Sequence, residues 1–384
     1  MRNTFVSLSL FLCVSPCQAA ESALLSPNQK SCSELLKQDE VFRAHDFFRK
    51  GAESQTEVSG HGWTQHLYFG RVGLGGPHPE FLKTSLVPFF RSVNEALSPA
   101  FRIPESTEVV LAANQPSRYQ DECGRIQLGI SPGLVASDES SVGWSEDTVA
   151  VLTHEYAHQI FEENAVGRKE KIDSAELRAE LSNIDLYRRY ENIENLKLYL
   201  ESRKVTPEFQ LSFMLMETKI RSDLEKVSFD HYTSFLQYLW MPLNELFADA
   251  VVVALAHDSA AQSRAIERIS GGSARSRDFG PKVLAADWRT AEIFPHDVYT
   301  PVRSYLWNSV LRKNLTSDAS VILKQVYEAI WEELGFLTKE VGHLDGPSIL
   351  GYFGKTGRLK QMNARLIQRI ARRLPNASRR RIGK

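Results

Sequence analysis

The hydrophobic and polar positions along this chain follow two different periods, which divide it into a strand-containing first part and a helical second part. Short apolar runs bounded by turn residues occur at Gly62–Gly73, Glu108–Ala113 and Arg125–Ser131, and they predict three strands. Between the first two runs, helical spacing predicts a helix over Pro79–Leu97 that is bent or broken at Pro88.

Helical periodicity dominates the remainder of the chain. The segment from Val149 to Phe161 is apolar on nearly every side, which predicts a buried helix, and Ser145 before it suits an N-cap. A passage from Ser259 to Arg277 is predicted to be an exposed loop that borders a cleft. The other predicted helices are Ser174–Lys204, Glu208–Val227, Met241–Ala256 and Ser317–Glu340.

Composition adds limits to this pattern. The chain has 384 residues, of which 42% are hydrophobic and 24% charged, and its net charge is −1. These values are ordinary for a globular protein, and the near-zero charge argues against nucleic acid as a partner. No apolar run reaches the roughly 18 residues needed to cross a bilayer, so no transmembrane helix is predicted.

The N-terminus has the pattern of a secretory signal peptide. A positive tip at Arg2 precedes the apolar run Phe5–Val14, and small residues at Ala19 and Ala20 provide a cleavage site. This predicts export to the periplasm or the extracellular space. A lipoprotein anchor at Cys17 is the alternative, although Pro16 fits it poorly.

Removal of residues 1–20 would leave Cys32 and Cys123 as the remaining cysteines. An oxidising compartment favours a disulfide between them, and two buried thiols are the alternative. The polar stretch Glu21–Gly60 fits either an ordered lead-in or a removable pro-segment.

The buried helix at Val149–Phe161 contains the pattern that carries chemistry. His154 and His158 are four residues apart and share one helical face, so their imidazoles can bind the same zinc ion. Glu155 lies beside them and is placed to act on a metal-bound water. Two histidines and a glutamate inside an apolar helix need partners, and a metal supplies them.

A second pattern occurs in the helix Met241–Ala256, where Glu245 and Asp249 are again four residues apart. Here the chain resembles the gluzincin metallopeptidases, in which HExxH is followed by an NExxSD-type motif on a later helix; Ala248 stands where that pattern often has Ser. The resemblance implies Glu245 as third ligand of one zinc ion per chain, with Asp249 fixing the tautomer of a ligand histidine. The interval between His158 and Glu245, 245 − 158 − 1 = 86 residues, is longer than in the most compact gluzincins.

The resemblance also implies a fold and an activity. The expected fold is α+β and zincin-like, in which a small N-terminal sheet with the active-site helix packs against a mostly helical C-terminal part. The expected divisions are a signal peptide (1–20), a sheet subdomain with the HExxH helix (21–165), a helical subdomain with the third ligand (166–354) and a basic tail (355–384). The expected activity is hydrolysis of peptide bonds in a polypeptide substrate through a zinc-bound water, with Glu155 as general base.

Two further roles follow from the resemblance. His296, in a turn beyond the third ligand, is expected to stabilise the oxyanion, with Tyr299, Tyr232 or Tyr238 as a companion hydroxyl. The strand Arg125–Ser131 precedes the HExxH helix and is expected to pair with the substrate backbone as a free edge.

Two other functions remain open at this point. The chain could be an inactive metallopeptidase-like protein that serves in secreted binding or adhesion, or a zinc hydrolase of non-peptide amides in the cell wall. The presence of Glu155 favours catalysis over an inactive scaffold. The cell-wall hydrolase would use the same metal residues.

The C-terminal stretch Lys355–Lys384 is strongly basic and contains no acidic residue. It fits contact with an anionic surface, and a solvated helix with a frayed tail is the alternative. Its eleven basic residues are Lys355, Arg358, Lys360, Arg365, Arg369, Arg372, Arg373, Arg379, Arg380, Arg381 and Lys384.

Overall fold

The structure is a computed structural model. It describes residues 54–72, 79–113, 117–120, 125–130, 145–166, 172, 174–201, 207–270, 277–280, 295–314, 319–355 and 357–374. The fold is mixed α+β and mostly helical, with one small five-stranded sheet. This confirms the α+β class and the position of the sheet in the first part of the chain.

The sheet has the strand order β1-β2-β3-β5-β4. Strands β2, β3 and β5 run parallel in its centre, while β1 and β4 pair antiparallel at its two edges. The strands are β1 (Ser54–Gly60), β2 (Trp63–Val72), β3 (Ser106–Ala113), β4 (Arg118–Gln120) and β5 (Arg125–Ile130).

All three predicted strands are present, but the prediction that Arg125–Ser131 forms a free edge is wrong. β5 lies between β3 and β4, and β4 forms the edge of the sheet on that side. The reason is a short strand, Arg118–Gln120, too brief to give an alternating pattern in the sequence. Strand β1 was also missed, because its residues are mostly polar and only Ser54 and Val58 are buried.

The helices, numbered in chain order, are α1 (Pro79–Leu97), α2 (Glu146–Val166), α3 (Ala175–Glu201), α4 (Pro207–Leu224), α5 (Phe229–Phe235), α6 (Met241–Ala256), α7 (Ala261–Ser270), α8 (Thr300–Tyr305), α9 (Ala319–Val341), α10 (Gly346–Gly354) and α11 (Arg358–Arg373). Two π-helical turns interrupt the series, Leu236–Trp240 before α6 and Leu306–Val310 after α8. Such turns are frequent near functional sites.

Most of the predicted helices are confirmed, with two differences. Helix α1 spans Pro79–Leu97 without a break at Pro88. The predicted loop Ser259–Arg277 contains helix α7, whose Ala261 and Ala265 pack against Val151 and Val252. Because small alanine side chains give only a weak apolar pattern, the sequence analysis did not predict this helix.

The core lies where α2 crosses α6 and α9. Phe161 of α2 is fully buried, and its ring centroid lies 5.3–5.9 Å from those of four other aromatic side chains. These are Trp240, Phe247, Tyr327 and Trp331. The packing places both motif-bearing helices in the interior, as their apolar sequences predicted.

By length and mean hydropathy (1.5), the continuous helix Phe229–Ala256 could cross a membrane. However, 78% of its apolar window is buried inside the protein. Burial of that extent is typical of a core helix, and α6 is the centre of the core in this fold.

Helix α11 brings part of the basic C-terminal stretch into the fold. Arg365 and Arg369 both donate to Glu333 of α9, while Arg369 and Arg373 donate to Glu332. These three arginines therefore hold α11 on α9. The signal peptide (1–20), Cys32, Cys123 and residues 375–384 lie outside the described residues, so their predictions stand as before.

Candidate metal centre

Helix α2 is fixed at its start by local interactions. Ser145 Oγ accepts a hydrogen bond from the backbone N–H of Thr148, which confirms the predicted N-cap. Glu146 and Asp147 lie in the first turn, where the positive end of the helix dipole favours them.

A buried polar network then sets the register of α2 against the sheet. The Tyr156 hydroxyl donates to Asn94 Oδ1 (2.6 Å) and accepts from Gln65 Nε2 (2.9 Å). Gln65 also donates to Thr107 Oγ1, which donates to Gln159 Oε1 at 2.7 Å. Burial raises the pKa of the Tyr156 hydroxyl, so it stays protonated. Because polar groups in the core require partners, these hydrogen bonds stabilise the observed placement of α2.

Three side chains from α2 and α6 converge as the motifs predicted. His154 Nε2 lies 3.0 Å from His158 Nε2 and 3.2 Å from Glu245 Oε2, and His158 Nε2 lies 3.6 Å from Glu245 Oε1. Zinc bonds of about 2.1 Å with tetrahedral geometry would separate the ligand atoms by about 3.4 Å. The cluster His154, His158 and Glu245 could therefore hold a metal ion.

The other ring nitrogen of each histidine faces an acceptor. His158 Nδ1 lies 2.9 Å from Asn244 Oδ1, and His154 Nδ1 lies 3.2 Å from Asp249 Oδ1. These contacts favour the Nδ1–H tautomer of each ring in its neutral form, with Nε2 as the acceptor atom that faces the shared point. His154 Nε2 also lies 2.9 Å from the guanidinium nitrogen Nη2 of Arg277. Asp249 is thus where the resemblance placed it, while Asn244 is an additional support on the same helix.

Opposing effects set the protonation of the cluster. Burial raises the pKa of Asp249, but Arg277 and Arg303 outweigh it and keep that carboxyl ionised. Burial likewise raises the pKa of Glu245, and the neighbouring cations lower it well below its ordinary value. Burial and Arg277 lower the pKa of His154, yet Glu245 and Asp249 overcome them and raise it to about 9. Burial lowers the pKa of His158, so the carboxylates favour positive charge at His154 and not at His158.

Two arginines that the sequence analysis did not assign to the site contact Asp249. Arg277 Nη2 donates to Asp249 Oδ1 (2.5 Å) and to Glu245 Oε2 (3.1 Å). Arg303 Nε donates to Asp249 Oδ2 at 2.9 Å, and Arg303 also donates to the backbone carbonyl of His296. Arg277 lies at the end of the predicted cleft-bordering loop, and Arg303 lies seven residues after His296.

Glu155 and the edge strand β4 meet beside the cluster. Glu155 is 9% exposed, and its Oε2 accepts a hydrogen bond from the backbone N–H of Tyr119 at 2.5 Å. The Tyr119 ring is stacked near-parallel to that of His158, with centroids 6.5 Å apart. The edge strand beside the His154, His158 and Glu245 cluster is thus β4, whereas the sequence predicted β5 for this position.

His296 lies at the rim of the cluster with its side chain 30% exposed, and its Nδ1 is 3.0 Å from Glu245 Oε2. The structure therefore brings this predicted residue to the site. Two of the tyrosines proposed to assist His296 have other surroundings. Tyr299 is buried and interacts electrostatically with Glu333 and Arg365. The ring of Tyr232 stacks on that of Tyr187.

The chain was compared with protein-family models, curated proteins and solved structures, and no match was found. The geometry of this centre is therefore the basis for inferring the function. Asn244 could have been found from the sequence, because it is adjacent to Glu245 within the motif. Arg277 and Arg303 carry no local signal, because they reach Asp249 from 28 and 54 residues away.

Proposed function

We propose that this protein is an exported zinc-dependent metallopeptidase with a zincin-like fold, related in its motifs to the gluzincins. The observation that supports the proposal most strongly is the convergence of His154, His158 and Glu245, with both Nδ1 atoms turned toward acceptors. The two Nε2 atoms lie 3.0 Å apart, and each is within 3.6 Å of a Glu245 carboxylate oxygen. This spacing suits three ligands of one divalent cation.

His154, His158 and Glu245 would hold the zinc ion. When bound, zinc acts as a Lewis acid that polarises the scissile carbonyl and lowers the pKa of water. Asn244 and Asp249 hold the two imidazoles in the orientation needed for binding. Arg277 and Arg303 offset the negative charge of Asp249 and Glu245, which keeps the buried carboxylates ionised.

The proton transfers are assigned to Glu155. Its carboxylate accepts a proton from the attacking water and delivers it to the leaving amine nitrogen. The Tyr119 N–H holds one oxygen of this carboxylate in place. His296 donates a hydrogen bond to the oxyanion of the substrate as the carbonyl carbon becomes tetrahedral. The backbone of an extended polypeptide would lie along β4, the sheet edge beside Glu155.

The test combines metal analysis with a peptide-library digest of the full chain. We expect about one zinc ion per chain and peptide cleavage that a chelator abolishes and zinc restores. Glu155→Gln should retain zinc and lose nearly all cleavage. Glu163→Gln is the matched control, because Glu163 lies on the same helix and pairs with Arg102 away from the metal centre.

Each other outcome identifies a different function. Zinc binding without cleavage of peptides or cell-wall amides would indicate an inactive, binding-type protein. Cleavage of cell-wall amides alone would identify the non-peptide hydrolase. Peptide cleavage that persists in Glu155→Gln would overturn the mechanism. Contact of an anionic surface with the outward basic residues of the C-terminal stretch stays a separate proposal.

A further inference from the structure

The short segment that carries His296 is held through its backbone carbonyls. Pro295–Asp297 forms one 3-10 turn, and the buried residues Val298 and Tyr299 connect it to α8. Arg303 donates to the His296 carbonyl, and Asn363 Nδ2 donates to the Val298 carbonyl at 2.9 Å. Hydrogen bonds therefore anchor the backbone on both sides of Asp297.

Asn363 is an unusual residue to find in this position. It is 2% exposed, and its Nδ2 also donates to Leu359 O of its own helix at 2.9 Å. Its Oδ1 is buried without a hydrogen-bond partner among the described residues. A buried acceptor without a partner destabilises the fold, so an apolar side chain would suit the location better if packing were its only role. The Val298 carbonyl explains the amide, because Asn363 Nδ2 donates to it from 65 residues away.

The helix that presents Asn363 is firmly attached to the core. Leu366 and Ile370 of α11 are fully buried. Glu333 of α9 is also fully buried, and it accepts hydrogen bonds from both Arg365 and Arg369. Asn363 lies two residues before Arg365 on this helix, so its side chain contacts the turn from a well-anchored element.

We infer that Asn363 is a positioning residue that keeps His296 beside Glu245, and that the C-terminal helix α11 is part of the support of the metal centre. The effect on catalysis depends on the proposed function. The effect on the turn itself does not, since it follows from contacts that exist without metal or substrate. A chain that keeps every zinc ligand but loses the Asn363 amide would have a loosened His296.

The first test measures backbone hydrogen exchange in the full chain without metal. Asn363→Leu keeps the branched shape and the number of side-chain heavy atoms and removes both N–H donors, and Asn363→Ala is a second variant should the bulkier leucine prevent folding. We expect exchange in peptides that span residues 296–303 to rise about tenfold, while peptides from α2 remain unchanged. Thr338→Val is the control, because its buried hydroxyl donates only within α9, to Leu334 O. Unchanged exchange at the turn would overturn the inference whatever the activity of the protein.

The second test measures activity in a double-mutant cycle with His296→Ala. Asn363→Leu should lower kcat about tenfold with zinc affinity and KM within about twofold of wild type. In the His296→Ala background the same change should have little further effect, because Asn363 acts through His296. If the losses of kcat in Asn363→Leu and His296→Ala were fully additive, Asn363 would not act through His296. A wild type that hydrolyses nothing would reject the proposed function, while the exchange experiment would still decide the role of Asn363.

Discussion

Arg303 and Asp249 form an ion pair that is closed off from solvent. Arg303 Nη2 lies 2.7 Å from Asp249 Oδ2, and neither side chain has any exposed surface. Because Asp249 faces His154 and Arg303 also holds the His296 carbonyl, one buried cation connects α6, which carries Asp249, to the turn with the proposed oxyanion donor.

Replacement of Arg303 by Met should destabilise the fold strongly. The change leaves Asp249 with Arg277 as its remaining arginine partner, and loss of one member of a buried pair typically costs about 3–5 kcal/mol. Urea denaturation would measure the change in the free energy of unfolding. Arg268→Met is the control, since Arg268 is 63% exposed in its pair with Asp147, and exposed pairs contribute about 0–1 kcal/mol. Equal losses in the two variants would contradict the role of burial.

Replacement of Asn244 by Ala should weaken zinc binding while leaving the three ligands intact. The His158 ring loses the acceptor that fixes its tautomer, and removal of such outer contacts usually lowers metal affinity about 10–100-fold. Competition with a chromophoric chelator gives the affinity directly. Asn183→Ala on α3 tests for general effects, because Asn183 donates to Glu180 in the helical insert. Wild-type zinc affinity in Asn244→Ala would show that Asn244 does not orient His158.

Removal of the Tyr156 hydroxyl should destabilise the protein more than a comparable deletion elsewhere in the core. Tyr156→Phe leaves Asn94 Oδ1 without its donor inside the buried network, which costs about 1–3 kcal/mol. Tyr327→Phe removes a hydroxyl whose bond to the Phe161 carbonyl is longer, 3.2 Å, and should cost less. Thermal unfolding of the two variants makes the comparison, and the reverse order would mean that the network does not set the register of α2.

The attachment of α11 should weaken in acid. Burial raises the pKa of Glu332, but hydrogen bonds from Arg373 and Arg369 outweigh it and lower the pKa below 4.5. A carboxyl group whose pKa is lower in the folded than in the unfolded protein stabilises the fold at pH values above its unfolded-state pKa. This stabilisation disappears as the pH falls through the folded-state pKa. Wild type should therefore be more stable than Glu332→Gln near pH 7, and the difference should vanish below the depressed pKa. Thermal unfolding across that range provides the check, and a constant difference would refute the assignment.

The sequence alone determined the local part of this description. The strands β2, β3 and β5 and the helices α2, α3, α4 and α6 were predictable, because their periodicity depends on neighbours two to four residues away. The same short range places His154 and His158 on one face of a helix. It also places Glu245 on the same helical face as Asp249 in α6.

Only the tertiary structure decided which distant groups meet at that face. Arg277, Arg303 and Asn363 reach the centre or its turn across long intervals of chain, and no local period records such contacts. The edge strand Arg118–Gln120 and the alanine-faced helix α7 were missed for a related reason, since partners elsewhere in the fold stabilise them. Local patterns express backbone geometry, whereas the buried charges around Asp249 and the amide of Asn363 are satisfied only after the whole chain has packed.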